Sequence, residues 1–201
     1  VFSYLPADVV INAAAYTAVD KAEDEEKLAF AVNRDAVCSL ARLCKQHKLP
    51  LLHISTDYVF DGNNLDAYTE DATPNPLGVY GKSKLAGDLE LQKILPEHII
   101  LRVSWVFGQY GNNFVKTILR LAQDREELKI VADQYGAPTA AADIARVLLD
   151  LAEKIHQGER HWGIYNYCNK PATTWYDFAF SCLSWNFLMT DRVSTNRCSP
   201  V

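Results

Sequence analysis

Short aliphatic and β-branched runs recur along this chain, separated by stretches whose apolar positions return every three or four residues. Asp8-Val9-Val10-Ile11-Asn12-Ala13-Ala14-Ala15 has the run of a buried parallel strand that ends in small residues, where something must approach closely. Pro50-Leu51-Leu52-His53-Ile54-Ser55-Thr56 and Ile99-Ile100-Leu101-Arg102-Val103-Ser104 predict two more. Between the first two, Leu28, Phe30, Ala31, Val37, Leu40, Ala41 and Leu43 fit an amphipathic helix. Its acidic approach, Asp20 to Glu26, reads as a solvated helix start favoured by the dipole. A helical pattern from Lys84 to Leu95 lies before the third strand. Strands separated by helices imply right-handed crossovers and a parallel sheet, with ligands beyond the strand carboxyl ends. Ala13 to Thr17, Ser55 to Tyr58 and Ser104 to Phe107 would then form one rim.

After Gly108 the pattern loosens. It predicts helices near Asn113 to Ala122, near Ala142 to His156 and from about Thr174, with a strand near Ile164 to Tyr167. The fold class expected is α/β, a Rossmann-like doubly wound parallel sheet with a smaller, partial substrate-binding lobe. Residues 1–107 would form a partial dinucleotide-binding domain, and 108–201 mainly the second lobe, with some segments returning to the first. Met189 to Val201 show no periodicity and read as a loop or a cut end. Pro74, Pro76, Pro138 and Pro171 punctuate connections, without a repeat or a flexible linker.

The length of 201 residues, 49% of them hydrophobic, allows one good core and part of a second. A net charge of -5 argues against a general nucleic-acid binder, which needs a concentrated basic surface. No apolar stretch approaches the ~20 residues that cross a bilayer, so no membrane partner is expected. Five cysteines without a C-x-x-C pair suit a reducing cytoplasm better than a disulfide framework. The histidines have no ligand-like spacing with cysteines or carboxylates and read as surface or satisfied groups.

The chemistry concentrates at Tyr80-Gly81-Lys82-Ser83-Lys84. Residues four apart on a helix share a face, so a lysine ammonium can sit near the Tyr80 phenol and draw its proton affinity toward working pH. Thr56, ending the preceding strand, would polarise the same substrate carbonyl. Tyr80, Lys84 and Thr56 are therefore the candidate catalytic groups.

Four segments occur in order: Asn12-Ala13-Ala14-Ala15-Tyr16-Thr17, Ser55-Thr56-Asp57-Tyr58-Val59-Phe60-Asp61-Gly62, Tyr80 through Gly87, and Arg102-Val103-Ser104-Trp105-Val106-Phe107-Gly108. Together they resemble the extended short-chain dehydrogenase/reductase family. Gly111-Asn112-Asn113-Phe114 and Asp133-Gln134-Tyr135-Gly136-Ala137-Pro138-Thr139 narrow the resemblance to the dTDP-4-dehydrorhamnose reductases, over Asp8 to Phe178. The resemblance implies reduction of the 4-keto group of dTDP-6-deoxy-L-lyxo-4-hexulose by NADPH or NADH, giving dTDP-L-rhamnose. It makes Tyr80 the proton donor, Lys84 the group that holds the nicotinamide ribose, and Thr56 an assistant. It also places Ala15, Tyr16, Thr17, Ile54, Tyr80 and Lys84 at the cofactor, and Thr56, Asp57 and Trp105 at the dTDP-linked sugar. Some members are described as dimerising through magnesium held by acidic residues. A homodimer using the acidic run near Asp20 is thus allowed, but this sequence does not support magnesium and no metal ligand is assigned.

The chain departs from the family pattern at both ends. No glycine precedes Gly62, so the glycine-rich turn that cradles a pyrophosphate is absent, together with its strand and helix. Weak NADPH binding and marginal stability are expected of these 201 residues alone. The sugar-nucleotide dehydratases carry an Asp-Glu pair after the threonine, whereas Asp57-Tyr58 follows Thr56 here. The remaining alternatives are another nucleotide-sugar reductase or epimerase, and a non-catalytic regulatory or binding protein on the same scaffold.

Overall fold

The computed structural model describes residues 7–64, 66–190 and 197–200, with side chains through Ser184. The opening residues Val1 to Tyr4 lie outside these. In chain order the first elements are β1 (Val10–Asn12), α1 (Glu26–Phe30), α2 (Ala36–His47), β2 (Leu51–Thr56), α3 (Val79–Ile94) and β3 (His98–Val103). There follow β4 (Val106–Phe107), α4 (Phe114–Asp124), β5 (Glu127–Ile130), β6 (Tyr135–Gly136), β7 (Thr139–Ala140), α5 (Ala141–His156), β8 (Gly163–Tyr167), β9 (Thr173–Thr174), α6 (Trp175–Thr190) and β10 (Arg197–Pro200). Two compact units result: Val1–Val103 with Arg146–Tyr167, and Ser104–Ala145 with Cys168–Val201.

The first unit is built on a parallel sheet in the order β1-β2-β3-β8, the Rossmann-like arrangement of strands joined through helices. Leu51, Leu52, His53, Ile99, Ile100 and Leu101 are all buried, so β2 and β3 are covered on both faces. Val37, Ala41 and Cys44 of α2 and Leu91 of α3 close one core against Leu51 and Ile100. β1 is shorter than its apolar run because the Asn12 side chain accepts a hydrogen bond from Ala14 N at 3.1 Å. That turn ends the strand at its small residues.

The helix expected after the acidic run is interrupted. Between α1 and α2 lies a π turn, Ala31–Asp35, which keeps the axis continuous but adds a residue to the turn. Its consequence is the burial of Asn33 on the face that also buries Ala29 and Val37. Leu28 and Leu43, expected on the apolar face, are exposed.

The second unit packs α4 and α6 with β5 around Ile118, Leu128, Ile130, Ala179 and Leu183. β5 pairs in parallel with β10, and β6 pairs antiparallel with β9. The expectation of a loop from Met189 is thereby corrected, since α6 runs through Thr190 and Arg197–Pro200 forms a strand. Residues 191–196 and 201 of that stretch lie outside the described residues.

Candidate active site

β1 and β2 run in register, Asn12 opposite His53, so their carboxyl ends open on the same edge. Tyr16, just beyond β1, is clasped by Asn33. Its N–H donates to Asn33 Oδ1 at 2.9 Å and its carbonyl accepts from Asn33 Nδ2 at 3.0 Å. The same Nδ2 donates to Ser83 Oγ at 2.9 Å, and Ser83 Oγ donates to the Tyr80 carbonyl at 2.7 Å. One buried amide therefore ties the segment containing Ala15, Tyr16 and Thr17 to α3. The π turn and α3 approach closely here, since a Cβ on Gly87 would run into the Asn33 carbonyl oxygen.

Acidic residues expected to be merely solvated take part. Glu23 Oε1 accepts from Val79 N at 2.8 Å, capping α3, whose preceding residue Gly78 has no side chain to do so. Glu25 accepts from the Tyr16 hydroxyl at 2.7 Å. Burial and then Glu25 push that phenol up to about 12.

α3 begins at Val79, one turn before the apolar periodicity, so it carries both Tyr80 and Lys84. Tyr80 packs edge-on against Tyr58, and the Thr56 side chain lies close enough to draw its proton affinity down. Thr56 Oγ1 in turn donates to Asp57 Oδ1 at 3.2 Å and accepts from Tyr58 N at 3.2 Å. Burial pushes the Asp57 carboxyl up to about 6. Burial also pushes Tyr80 up to about 12, outweighing the opposite influence of Thr56. The expected lowering of the Tyr80 proton affinity by Lys84 is thus corrected. The ammonium is held elsewhere, donating to the Ile54 carbonyl at 2.7 Å, with His53 Nε2 at 3.3 Å.

Below this pair lies a layer of buried charge that sequence reasoning did not assign. Asp88, four residues beyond Lys84 on the same face, is fully buried and accepts from Ser55 Oγ at 2.7 Å. Arg102 of β3 brings Nε to 3.8 Å from Asp88 Oδ2 and lays its guanidinium over Phe60. Burial raises Asp88 to about 6 and lowers Lys84 to about 8, with the attraction of Asp88 partly restoring the ammonium. Burial, then Lys84, hold His53 well below the ordinary histidine range, so its imidazole is neutral. The readable signal for Asp88 and Asn33 was a polar residue at a core-facing helical position.

Trp105 belongs to the other unit. Its backbone turns through a positive φ of 42°, and its indole stacks on Trp175 with centroids 3.5 Å apart. Gly136 abuts the same indole so closely that a Cβ there would overlap it. Phe114 and Phe178 extend the aromatic cluster.

The donor set in the first unit fits a nicotinamide dinucleotide. An ammonium has three N–H donors, and the Ile54 carbonyl takes one of the Lys84 set, leaving N–H groups for a ribose hydroxyl. Among the described residues no three His, Cys, Asp or Glu side chains gather as a metal site. No helix among them is long and apolar enough to cross a membrane.

Residues 1–197 match the family profile described as the RmlD substrate binding domain. The chain is 53% identical to the dTDP-4-dehydrorhamnose reductase of Aggregatibacter actinomycetemcomitans over 87% of this chain and 60% of the relative. It is 43% identical to that of Escherichia coli K12, over 86% of this chain and 58% of the relative. The chain thus spans about 60% of the length of the curated relatives it matches. Among solved structures, a Bacillus anthracis dTDP-4-dehydrorhamnose reductase in complex with NADP superposes with a TM-score of 0.88 at 36% identity, over 96% of this chain and 65% of that one. An orthologue from Clostridium acetobutylicum gives 0.89 at 37% identity, over 100% and 67%. With the profile matching almost the whole of this chain and relatives of this identity, the chain belongs to the RmlD substrate binding domain family, that of the dTDP-4-dehydrorhamnose reductases.

Proposed function

We propose that the protein carrying this chain reduces the 4-keto group of dTDP-6-deoxy-L-lyxo-4-hexulose with NADPH or NADH, giving dTDP-L-rhamnose. The observation that carries this is Tyr80 beside Thr56 at the carboxyl end of β2, one helical turn from a buried Lys84. When bound, the cofactor supplies the hydride. The chain's own residues supply the proton and the orientation.

A phenol at about 12 keeps its proton at neutral pH. An alkoxide is more basic, its conjugate acid lying near the roughly 16 of water, so transfer from Tyr80 to the developing oxyanion runs downhill. Thr56 becomes the second donor for that oxygen by turning its one O–H to it from Asp57, and Asp57 bears on the sugar beside it. Lys84 offers an N–H not taken by Ile54 to the nicotinamide ribose. Ala15, Tyr16, Thr17 and Ile54 border the dinucleotide through strand ends fixed by Asn33 and Lys84. Trp105, held rigidly by Trp175, offers the sugar nucleotide an aromatic edge at little cost in rotamer entropy. Residues 1–107 serve chiefly the cofactor and 108–201 chiefly the sugar. Unpaired Cys38, Cys44, Cys168 and Cys182 support a cytoplasmic setting.

The test is NADPH oxidation by the full gene product with the keto sugar. Turnover that disappears without the sugar supports the reading. A folded, cofactor-binding protein without turnover refutes it.

A further inference from the structure

Lys84 is nine-tenths buried or more, and the groups around it pull its proton in opposite directions. On one side stands Asp88, a buried carboxylate at the next turn of α3. Its Oδ2 is fixed by Ser55, while its Oδ1 has no hydrogen-bond partner among the described residues. Arg102 is a second buried cation in the same space, and its Nε and Nη1 are likewise unpartnered. Within this buried layer one carboxylate therefore faces two cations, with Glu70 acting on Arg102 from outside it.

On the other side stands His53. Asn12 Oδ1 is engaged by Ala14 N, so its Nδ2 faces His53 Nδ1, at 3.0 Å. Nδ1 must then accept, which leaves the proton of the neutral imidazole on Nε2. That Nε2 lies 3.3 Å from Lys84 Nζ and 3.8 Å from Asp88 Oδ1. An N–H aimed at an ammonium sets donor against donor, whereas a free amine would accept it.

We propose that Asp88 and His53 are opposed positioning residues acting through Lys84, Asp88 holding it as the ammonium and the Asn12-oriented His53 favouring the amine. The inference rests on the role proposed for Lys84 above. The other titratable groups nearby are Tyr80 on α3, Asp57 and Tyr58 beyond β2, and Glu70, which faces Arg102. The helices packed on the far side of α3 contribute neutral Asn33 and Cys38, the latter held protonated by burial, and Arg34, which is paired with Asp35. None of these stands between Lys84 and its two opposed neighbours.

The test reads the lysine itself. In full gene product labelled with 13C at lysine Cε, the Lys84 resonance is assigned by its loss in Lys84→Met and followed against pH. Asp88→Asn should lower its midpoint by about one unit or more, a tenfold change in proton affinity. Asp88→Glu should restore it. His53→Gln, whose amide oxygen can accept from the ammonium, should raise it. Should Asp88→Asn fail to fold, Ser55→Ala loosens the carboxylate and should move the midpoint down by less. The alkaline limb of kcat should follow each shift. Unmoved midpoints, or shifts of one sign in both variants, overturn the inference. Absence of turnover in every form would refute the proposed function while leaving the lysine titration to decide on Asp88 and His53.

Discussion

The two units of this chain bury different things around their distinctive residues. The first buries charge: Lys84, Asp88 and Arg102, with neutral His53 and Asn33 among them. The second gathers aromatic rings, Trp105 on Trp175 with Phe114 and Phe178 alongside. Buried charge costs stability unless each group finds a partner, and Asp88 and Arg102 leave polar atoms unpartnered. Stacked rings gain area and dispersion with no such penalty. The first unit thus resembles a site built to change protonation state, and the second a rigid wall.

Substitutions can break or sharpen this contrast. Trp175→Ala removes the main partner of Trp105 and should cost about 4 kcal/mol in urea unfolding. A loss under about 1 kcal/mol would mean the aromatic cluster is not a wall. Gly87→Ala pits a methyl against the Asn33 main-chain oxygen, which cannot move without shifting the π turn, and should cost about 3 kcal/mol. Gly136→Ala drives a methyl into the Trp105 indole, which its stack on Trp175 keeps from yielding freely, and should cost about 3 kcal/mol in the same unfolding series. Asn33→Ala leaves the Tyr16 N–H and carbonyl without their partner and should cost about 2 kcal/mol. Its KM for NADPH should rise more than kcat falls.

The smallest effect concerns pH. His53 is held far below its unfolded value near 6.5, so its contribution to stability is present above that pH and is lost as pH falls toward the folded value. Asp57 and Asp88, raised from 3.8 to about 6, act oppositely, since their contribution is present below 3.8 and lost as pH rises through 6. The difference in Tm between wild type and His53→Gln should therefore change below pH 6.5 and be flat just above it, until Lys84 begins to titrate near 8. A difference that is flat throughout would contradict a neutral buried His53.

The sequence made some of this readable and hid the rest for physical reasons. β2 and β3 were legible because a strand buried on both faces reads as a continuous apolar run. Tyr80 and Lys84 were legible because four-residue spacing fixes a shared helix face. Asp88 continues that spacing, and Asn33 lies four from both Ala29 and Val37, yet their meaning depends on Arg102, His53 and Tyr16 from distant segments. Glu23 could not be read as a cap for a helix that starts 56 residues later. β5 was missed although Glu127, Leu128, Lys129 and Ile130 alternate exposed and buried, because four residues are too few to separate from a helix end. The two-residue strands β4, β6, β7 and β9 exist only through their partners. The displacement of the Tyr80 proton affinity upward, not downward, follows from burial, which spacing alone does not report.

The central claim is that Tyr80 delivers the proton in a reduction that uses a nicotinamide cofactor. Its most direct test is the single-turnover rate of NADPH oxidation with the keto sugar in full gene product, wild type against Tyr80→Phe, with cofactor binding measured on both. The account predicts a fall of about 10²–10⁴-fold in the rate with NADPH affinity unchanged. A Tyr80→Phe protein that turns over at the wild-type rate would contradict it.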